Sequence, residues 1–489
     1  MDNDIPYDLA SETLSLRGDI MGKCSLAVDI GASSGRLIAG YVEGNQLKLD
    51  EVYRFENKMI KINDHYCWDV DALFSEIKQG IHQCVRKGLH PESIGIDTWA
   101  VDFVLLDEND QPLTEAVAYR DSRTDGMMEE VFERVSKERI YLETGIQFQK
   151  FNTIYQLYSL KNSNPEILKK AKTFLMIPDY FNYLLTGEKV NEYTNATSTQ
   201  LVNAFTKKWD TDLLDELGIN KDMFQEIKAP KSEVGGLREE LVKEFGFDMK
   251  VLLPATHDTG SAVLAVPEVN DTIYISSGTW SLIGVENRFP ICVTKALDYN
   301  FTNEGGIDYR YRFLKNIMGL WMIQEVKRNY DNQYDFPELV DLANAAGDFG
   351  SKVDVDDDRF LNPENMIEEI QWYCQETKQA VPNTPGEVAK CVFDSLADSY
   401  KKAIGQIEEI YEKEFATINV IGGGCKNEML NQLIADTTNK EVLAGPVEAT
   451  AIGNIVSQLI ARGELDGINE ARTLIKQSFE MKKYTAVTA

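Results

Sequence analysis

Asp258 stands in "PATHDTGSAV", directly after the last of the chain's four histidines and before a run of small residues. A carboxylate in that setting can cap a helix, hold a cation or take a proton from a hydroxyl, and in isolation the helix cap is the commonest of the three. Two other stretches carry a different chemistry. "DIGASSGR" (Asp29 to Arg36) and "SSGTWS" (Ser276 to Ser281) are crowded with small residues that let successive backbone N–H groups point one way. Such a concavity binds anions, phosphate above all. One such turn alone is usually a tight turn without a ligand, but here one occurs in each half of the chain. A third glycine cluster, "IGGGCKNEMLNQLIAD", runs through Gly422–Gly424 into the start of a helix, which is where open α/β folds place nucleotides. GxGxxG and GxxxxGK[ST] are both missing from these stretches, so neither a dinucleotide site nor a P-loop is indicated. Asp29, at a strand end, is placed to hold a hydrated Mg²⁺, a hard cation that takes oxygen ligands.

The elements that must position these residues follow from their patterns. "SLAVDIGASSGRLIAGYV" reads as two apolar strands around a glycine-bearing turn, and "DTIYISSGTWSLIGVEN" repeats that plan, a weak internal repeat. Between them, "YCWDVDALFSEIKQGIHQCVRKG" predicts a helix with Asp69 as N-cap and Leu73, Ile77, Ile81 and Cys84 on one face. "SIGIDTWAVDFVLLDENDQPL" predicts strands with "DENDQ" as a turn. "IPDYFNYLLTGE" predicts a helix closed by Gly187. Further helices are expected over 363–374, 386–413, 427–438 and 448–463, the last of them finishing the second domain, with "TINVIGGG" as a strand. The sum is an α/β chain with a domain boundary near Pro267.

At 489 residues and 43% hydrophobic composition, two globular domains are the natural reading. A net charge of −29 argues against a sequence-independent grip on nucleic acid or on an anionic membrane, so neither is expected as a partner. No apolar run reaches the roughly 18 residues that span a bilayer. Residues 1–22 lack the basic start and apolar block of a signal peptide and are expected to be a disordered extension, with Met21 a possible start. Seven scattered cysteines without CxxC read as reduced thiols of a cytoplasmic protein, although a Cys374–Cys391 link stays open. The histidines and cysteines lack zinc-like spacing.

The ordered set "AVDIGASSGR", "IGIDTWAVDFVLLD", "AYRDSR", "HDTGSAV", "YISSGTWSL", "NEGG", "LKNIMGLW", "GGGCKNEMLNQLIAD" and "GPVEATAIGN" resembles the rhamnulokinases, a branch of the FGGY carbohydrate kinases within the actin-like ATPase superfamily. The resemblance implies two ribonuclease-H-like domains around a central nucleotide and sugar cleft: an N-terminal sugar-binding domain over 23–266 and a C-terminal nucleotide-binding domain over 267–489. It implies ATP-dependent phosphorylation of L-rhamnulose on C1, with Mg²⁺ beside Asp29 and a small-molecule sugar as partner. A monomer or small homo-oligomer is expected. Matched by position, Ala32, Ser33, Ser34, Gly35 and Arg36 form the first phosphate turn and Thr279 belongs to the second. Asn316, Gln324 and Gly423 contact nucleotide. Ala100, His257, Asp258 and Thr259 contact sugar, with Asp258 as the base.

Ala100 departs from the family, which often has glycine there, and a positive φ at that position would be strained. Asp97 and Asp102 could touch sugar or close a turn, and Trp99, Trp280 and Trp321 could be ordinary core. Within the enzyme class, a kinase of another ketose such as L-fuculose or D-xylulose is the alternative. Outside it stands an actin-like ATPase switch without a sugar substrate, since fold alone does not fix function.

Overall fold

The computed structural model describes residues 22–268 and 271–487, so the expected disordered leader lies outside the described residues apart from Gly22. The first sheet contains β1 (Lys23–Ile30), β2 (Ser34–Glu43), β3 (Gln46–Glu56), β4 (His90–Thr98), β5 (Glu233–Gly235) and β6 (Lys250–Leu252). Their order is β5-β6-β4-β1-β2-β3. β1, β2 and β3 are antiparallel neighbours, whereas β4 runs parallel to β1 and β6 parallel to β4.

The second sheet contains β7 (Thr272–Ser277), β8 (Trp280–Asn287), β9 (Thr302–Gly305), β10 (Tyr311–Met318), β11 (Thr417–Ile421), β12 (Glu441–Ala444) and β13 (Lys482–Tyr484). Its order is β9-β10-β8-β7-β11-β12-β13. Here too a hairpin and a third antiparallel strand, β7, β8 and β10, are followed by two parallel strands, β11 and β12. The repeat glimpsed in two hairpins is therefore a repeat of whole ribonuclease-H-like sheets.

Local signals start and stop the helices. In α1 (Val70–Arg86) the Asp69 carboxylate accepts from Ala72 N, and Leu73, Ile77, Ile81 and Cys84 face the core. α2 (Ile177–Thr186) ends at Gly187, whose φ of 88° is the left-handed value a helix C-cap favours. The short α3 (Tyr193–Ser198) and α4 (Asp258–Leu264) come next, then α5 (Trp321–Asn329) and α6 (Phe336–Ala345). The long α7 (Pro385–Tyr411) opens on a capping box between Thr384 and Glu387 with Pro385 at its first position. α8 (Glu428–Thr438) and α9 (Ala449–Ala461) complete the predicted set, and the helix expected over 363–374 runs Met366–Glu376.

One expectation fails. The helix at 448–463 does not finish the domain, because α10 (Ile468–Ser478) and the edge strand β13 follow it. α10 returns to the first domain, where Ser478 Oγ accepts from Leu47 N at 2.7 Å. Its N-cap, Gly467, makes no side-chain cap, so the usual start signal is missing.

The two domains meet through α4 and α9. A Cβ on Gly453 would lie 1.8 Å from the Ser261 carbonyl oxygen, so the helices cross closer than any side chain allows. Around that crossing, Ala27 and Ile38 of the first domain share a core with Ile452 and Ile455. Among the described residues no helix is long and apolar enough to cross a membrane. All seven cysteines are free, and Cys374 and Cys391 are both buried in the same core.

Candidate active site

A cleft of about 1210 Å³ opens between the sheets. That volume exceeds what one drug-sized ligand fills, and it suits two substrates side by side. Three glycine-bearing tips reach it. The β1–β2 turn, closed by Gly31 N donating to Ser34 O at 2.9 Å, contributes Ala32, Ser33, Ser34 and Arg36. The β7–β8 turn contributes Thr279, and the link from β11 to α8 contributes Gly423. Gln324 faces the cleft from α5 beside an apolar slot that includes Pro337 and Val340 of α6. Of the predicted phosphate turn, Gly35 alone stays out of the cleft, because the Phe55 ring occupies the space over its Cα.

Asp258 is the first residue of α4, not its cap, a place taken by the backbone of His257. Its Oδ1 accepts from Thr259 N at 2.5 Å and Thr259 Oγ1 at 3.1 Å, and its side chain keeps 31% exposure. Burial raises the Asp258 pKa to about 7, with the neighbouring charge of Asp29 pushing the same way and the Thr259 donors opposing. Asp29, next to last in β1, pairs directly with Asp97 on β4, and Arg36 Nη2 lies 2.9 Å from Asp29 Oδ2. Arg36 also pairs with Glu448 of the second domain.

Asp97 is fully buried. Burial and the neighbouring charge of Asp29 push its carboxyl pKa well above the ordinary range, while Asn454 Nδ2 donates to Oδ2 at 2.5 Å and Oδ1 has no hydrogen-bond partner. Asp29 and Asp258 thus line the cleft with the Asp97 carboxyl buried behind them and Arg36 as the cation beside Asp29. Among the described residues no group of three His, Cys, Asp or Glu is close enough to hold a metal by itself. The donor set suits a hydrated hard cation that brings its other ligands with it.

Ala100, Trp99 and Val101 line the other end of the cleft. The strain considered for Ala100 sits one residue later, since Val101 is the residue with positive φ, 66°. Asp102 is a structural anchor rather than a sugar contact: its carboxylate accepts from Trp68 Nε1, Trp99 Nε1, Gln156 Nε2 and Tyr119 N. Trp280 also lines the cleft. Trp321 donates to Phe360 O and lies under the Arg120 guanidinium.

Reasoning from sequence missed Glu304 and Arg312. Arg312 is fully buried, donates from Nε to Gly305 O at 2.9 Å, and sits with Nη2 3.1 Å from Glu304 Oε2 and 3.0 Å from His257 Nδ1. Burial and this guanidinium push the His257 pKa well below the ordinary histidine range, so the ring is neutral. Asn316, expected at the nucleotide, instead directs its amide to Gln147 at 3.1 Å and Glu304 at 3.5 Å, on the His257 side. "NEGG" held the hint for Glu304, but only three-dimensional proximity to His257 gives it a role.

Residues 24–265 match the N-terminal domain, and residues 273–462 the C-terminal domain, of the FGGY family of carbohydrate kinases. The chain belongs to that family. A protein of Halalkalibacterium halodurans named rhamnulokinase is 68% identical over 462 residues, covering 94% of this chain and 98% of that one. One from Bacillus subtilis with the same name is 47% identical, covering 94% of each chain. Among solved FGGY-like folds, gluconate kinase from Lactobacillus acidophilus superposes with a TM-score of 0.79 at 19% identity, covering 95% of this chain and 94% of that one. Xylulose kinase from the same species gives 0.77 at 18% over the same shares. As an FGGY kinase the chain takes ATP and a small sugar as its substrates.

Proposed function

We propose that this kinase transfers the γ-phosphoryl group of ATP to the C1 hydroxyl of L-rhamnulose, giving L-rhamnulose 1-phosphate and ADP in the breakdown of L-rhamnose. The observation that carries the reading is Asp258, a carboxylate with a pKa of about 7 in a cleft shared by the glycine turns and His257. The sugar follows from the name of the 68% identical relative.

In this reading Asp258 takes the C1 hydroxyl proton as the oxygen–phosphorus bond forms and the bond from phosphorus to the ADP oxygen breaks. The side-chain oxygen not engaged by Thr259 faces the sugar. Thr279, Gly423 and the 32–36 turn, without Gly35, cradle phosphates through backbone N–H groups, and Gln324 lies along the nucleoside. Ala100, His257, Thr259 and Asn316 make the sugar end. Asp29 would hold Mg²⁺ through water, with Asp97 behind it, and the ion would neutralise charge on the transferring group. Closure of the domains excludes water and limits wasteful hydrolysis. The enzyme works in the cytoplasm as a monomer or small homo-oligomer.

The test is ADP release with Mg-ATP and L-rhamnulose, L-fuculose, D-xylulose or glycerol, beside Asp258→Asn. The highest kcat/KM is expected for L-rhamnulose. A preference for another ketose would move the error to the sugar end, and no stimulation by any sugar would overturn the kinase assignment of the site.

A further inference from the structure

His257 belongs to the first domain, yet the groups facing its Nδ1 come from the second: Arg312 Nη2 at 3.0 Å from β10 and Glu304 Oε2 at 3.3 Å from β9. Asp258 Oδ1 stands on the other edge of the ring, 3.5 Å from Nε2. Behind the Arg312–Glu304 pair lies Tyr274, and below the backbone His257 N donates to Thr194 Oγ1 at 3.2 Å.

A neutral imidazole carries one N–H, and an arginine keeps all of its own. If Nδ1 bore the proton, two donors would confront each other at 3.0 Å inside the protein. The proton therefore belongs on Nε2, the nitrogen on the Asp258 edge. We propose that Arg312, itself fixed by Glu304 and the Gly305 carbonyl, is a positioning residue that locks His257 as the Nε2–H tautomer, so that His257 meets the sugar as a hydrogen-bond donor only. The consequence for specificity rests on the sugar-kinase reading: a donor recognises an acceptor oxygen and leaves the hydroxyl proton to Asp258. Because Arg312 lies across the domain boundary, the donor is fully oriented only while the domains are docked.

Long-range ¹H–¹⁵N spectra of the ¹⁵N-histidine-labelled whole chain read the tautomer directly. With four histidines present, His257→Asn identifies the signal. The Nε2–H pattern, unchanged between about pH 6 and 9, is expected for the wild type. An Nδ1–H pattern would overturn the proposal.

Arg312→Met is expected to move the signal to the Nδ1–H form, facing Glu304, and to raise KM for L-rhamnulose about tenfold while KM for ATP holds. Adding Glu304→Gln supplies an amide donor to Nδ1 and should recover much of that loss, which a merely structural Arg312 would not predict. An unchanged tautomer and unchanged sugar KM in Arg312→Met would also sink the idea. The Nε2–H pattern with no turnover of any ketose would refute the substrate reading while supporting the lock.

Discussion

The backbone N–H of Asp102 donates to the carbonyl of Ala100 at 2.9 Å, and the three-residue turn it closes holds Val101 at φ 66°. A β-branched residue there is strained by about 1–3 kcal/mol, so its surroundings must enforce it. Thr153 Oγ1 grips the Val101 carbonyl at 2.6 Å, and Asp102 gathers both tryptophan indoles. The turn follows β4, and Trp99, Ala100 and Val101 line the cleft there. Asp102→Ala would strand those buried donors and is expected to cost about 2–3 kcal/mol or more in urea unfolding. Sugar KM should rise, while ADP affinity by calorimetry stays put. A variant as stable as wild type would show that the turn holds without its anchor.

Asp258 gives a pH dependence with a definite sign. Its carboxyl has a folded pKa of about 7 against 3.8 for the free group. Only the ionised form accepts a proton, so kcat/KM at low Mg-ATP should fall as pH drops through about 7. Saturating Mg-ATP should move that limb downward, because a nearby cation favours the carboxylate. Asp258→Asn should lose about 10²–10⁴-fold in kcat and show no such limb. Raising the folded pKa also means that this carboxyl favours folding when protonated, an advantage complete below 3.8 and lost as pH rises through 7. The Asn variant should therefore have the higher Tm at pH 8, with the gap closing toward pH 4. Equal Tm values at pH 8 would contradict the burial argument.

How far these features could be read from sequence depended on how local their causes are. Asp69 caps α1 and Gly187 ends α2 through contacts within one turn, and both were legible. The two hairpins announced the duplicated sheets because each is a contiguous strand, turn and strand. α10 escaped because Gly467 gives it no side-chain cap. Arg312 and Glu304 lie in strands where alternating polar residues are unremarkable, and their meaning is contact with His257, about fifty residues away. The strain at Val101 rather than Ala100 arises from donors on a distant helix, which no local pattern encodes.

Across the domain boundary, Asn454 and Gln458 on α9 form a buried polar network with the first sheet. Asn454 donates to Asp97 Oδ2 and, at 3.0 Å, to Gly95 O, while Gln458 Nε2 donates to Leu26 O at 3.0 Å. Removing one member leaves buried acceptors unpaired, so Asn454→Ala should cost about 1–3 kcal/mol. Unfolding followed by fluorescence should also broaden or split, because the network ties the two sheets into one cooperative unit. A single transition at the wild-type midpoint would place the coupling in the apolar α4–α9 crossing instead.

The glycines between β11 and α8 separate packing from binding. A Cβ on Gly424 would stand 2.0 Å from Ser277 Oγ and 2.5 Å from Ser277 Cβ, whereas a Cβ on Gly423 meets nothing within 4 Å. Gly424 is therefore small because β7 presses against it, whereas Gly423 borders the open cleft. Gly424→Ala must displace the end of β7 and should lower stability by about 1–3 kcal/mol. Gly423→Val has room in the empty protein and should keep the wild-type midpoint in urea. Its methyls would occupy the space assigned to nucleotide, so KM for ATP should rise about tenfold or more with sugar KM little changed. Calorimetry with ADP and urea titration of the two variants separate the cases. Tight ADP binding in Gly423→Val would remove this loop from the nucleotide site and leave the β1–β2 and β7–β8 turns to hold the phosphates.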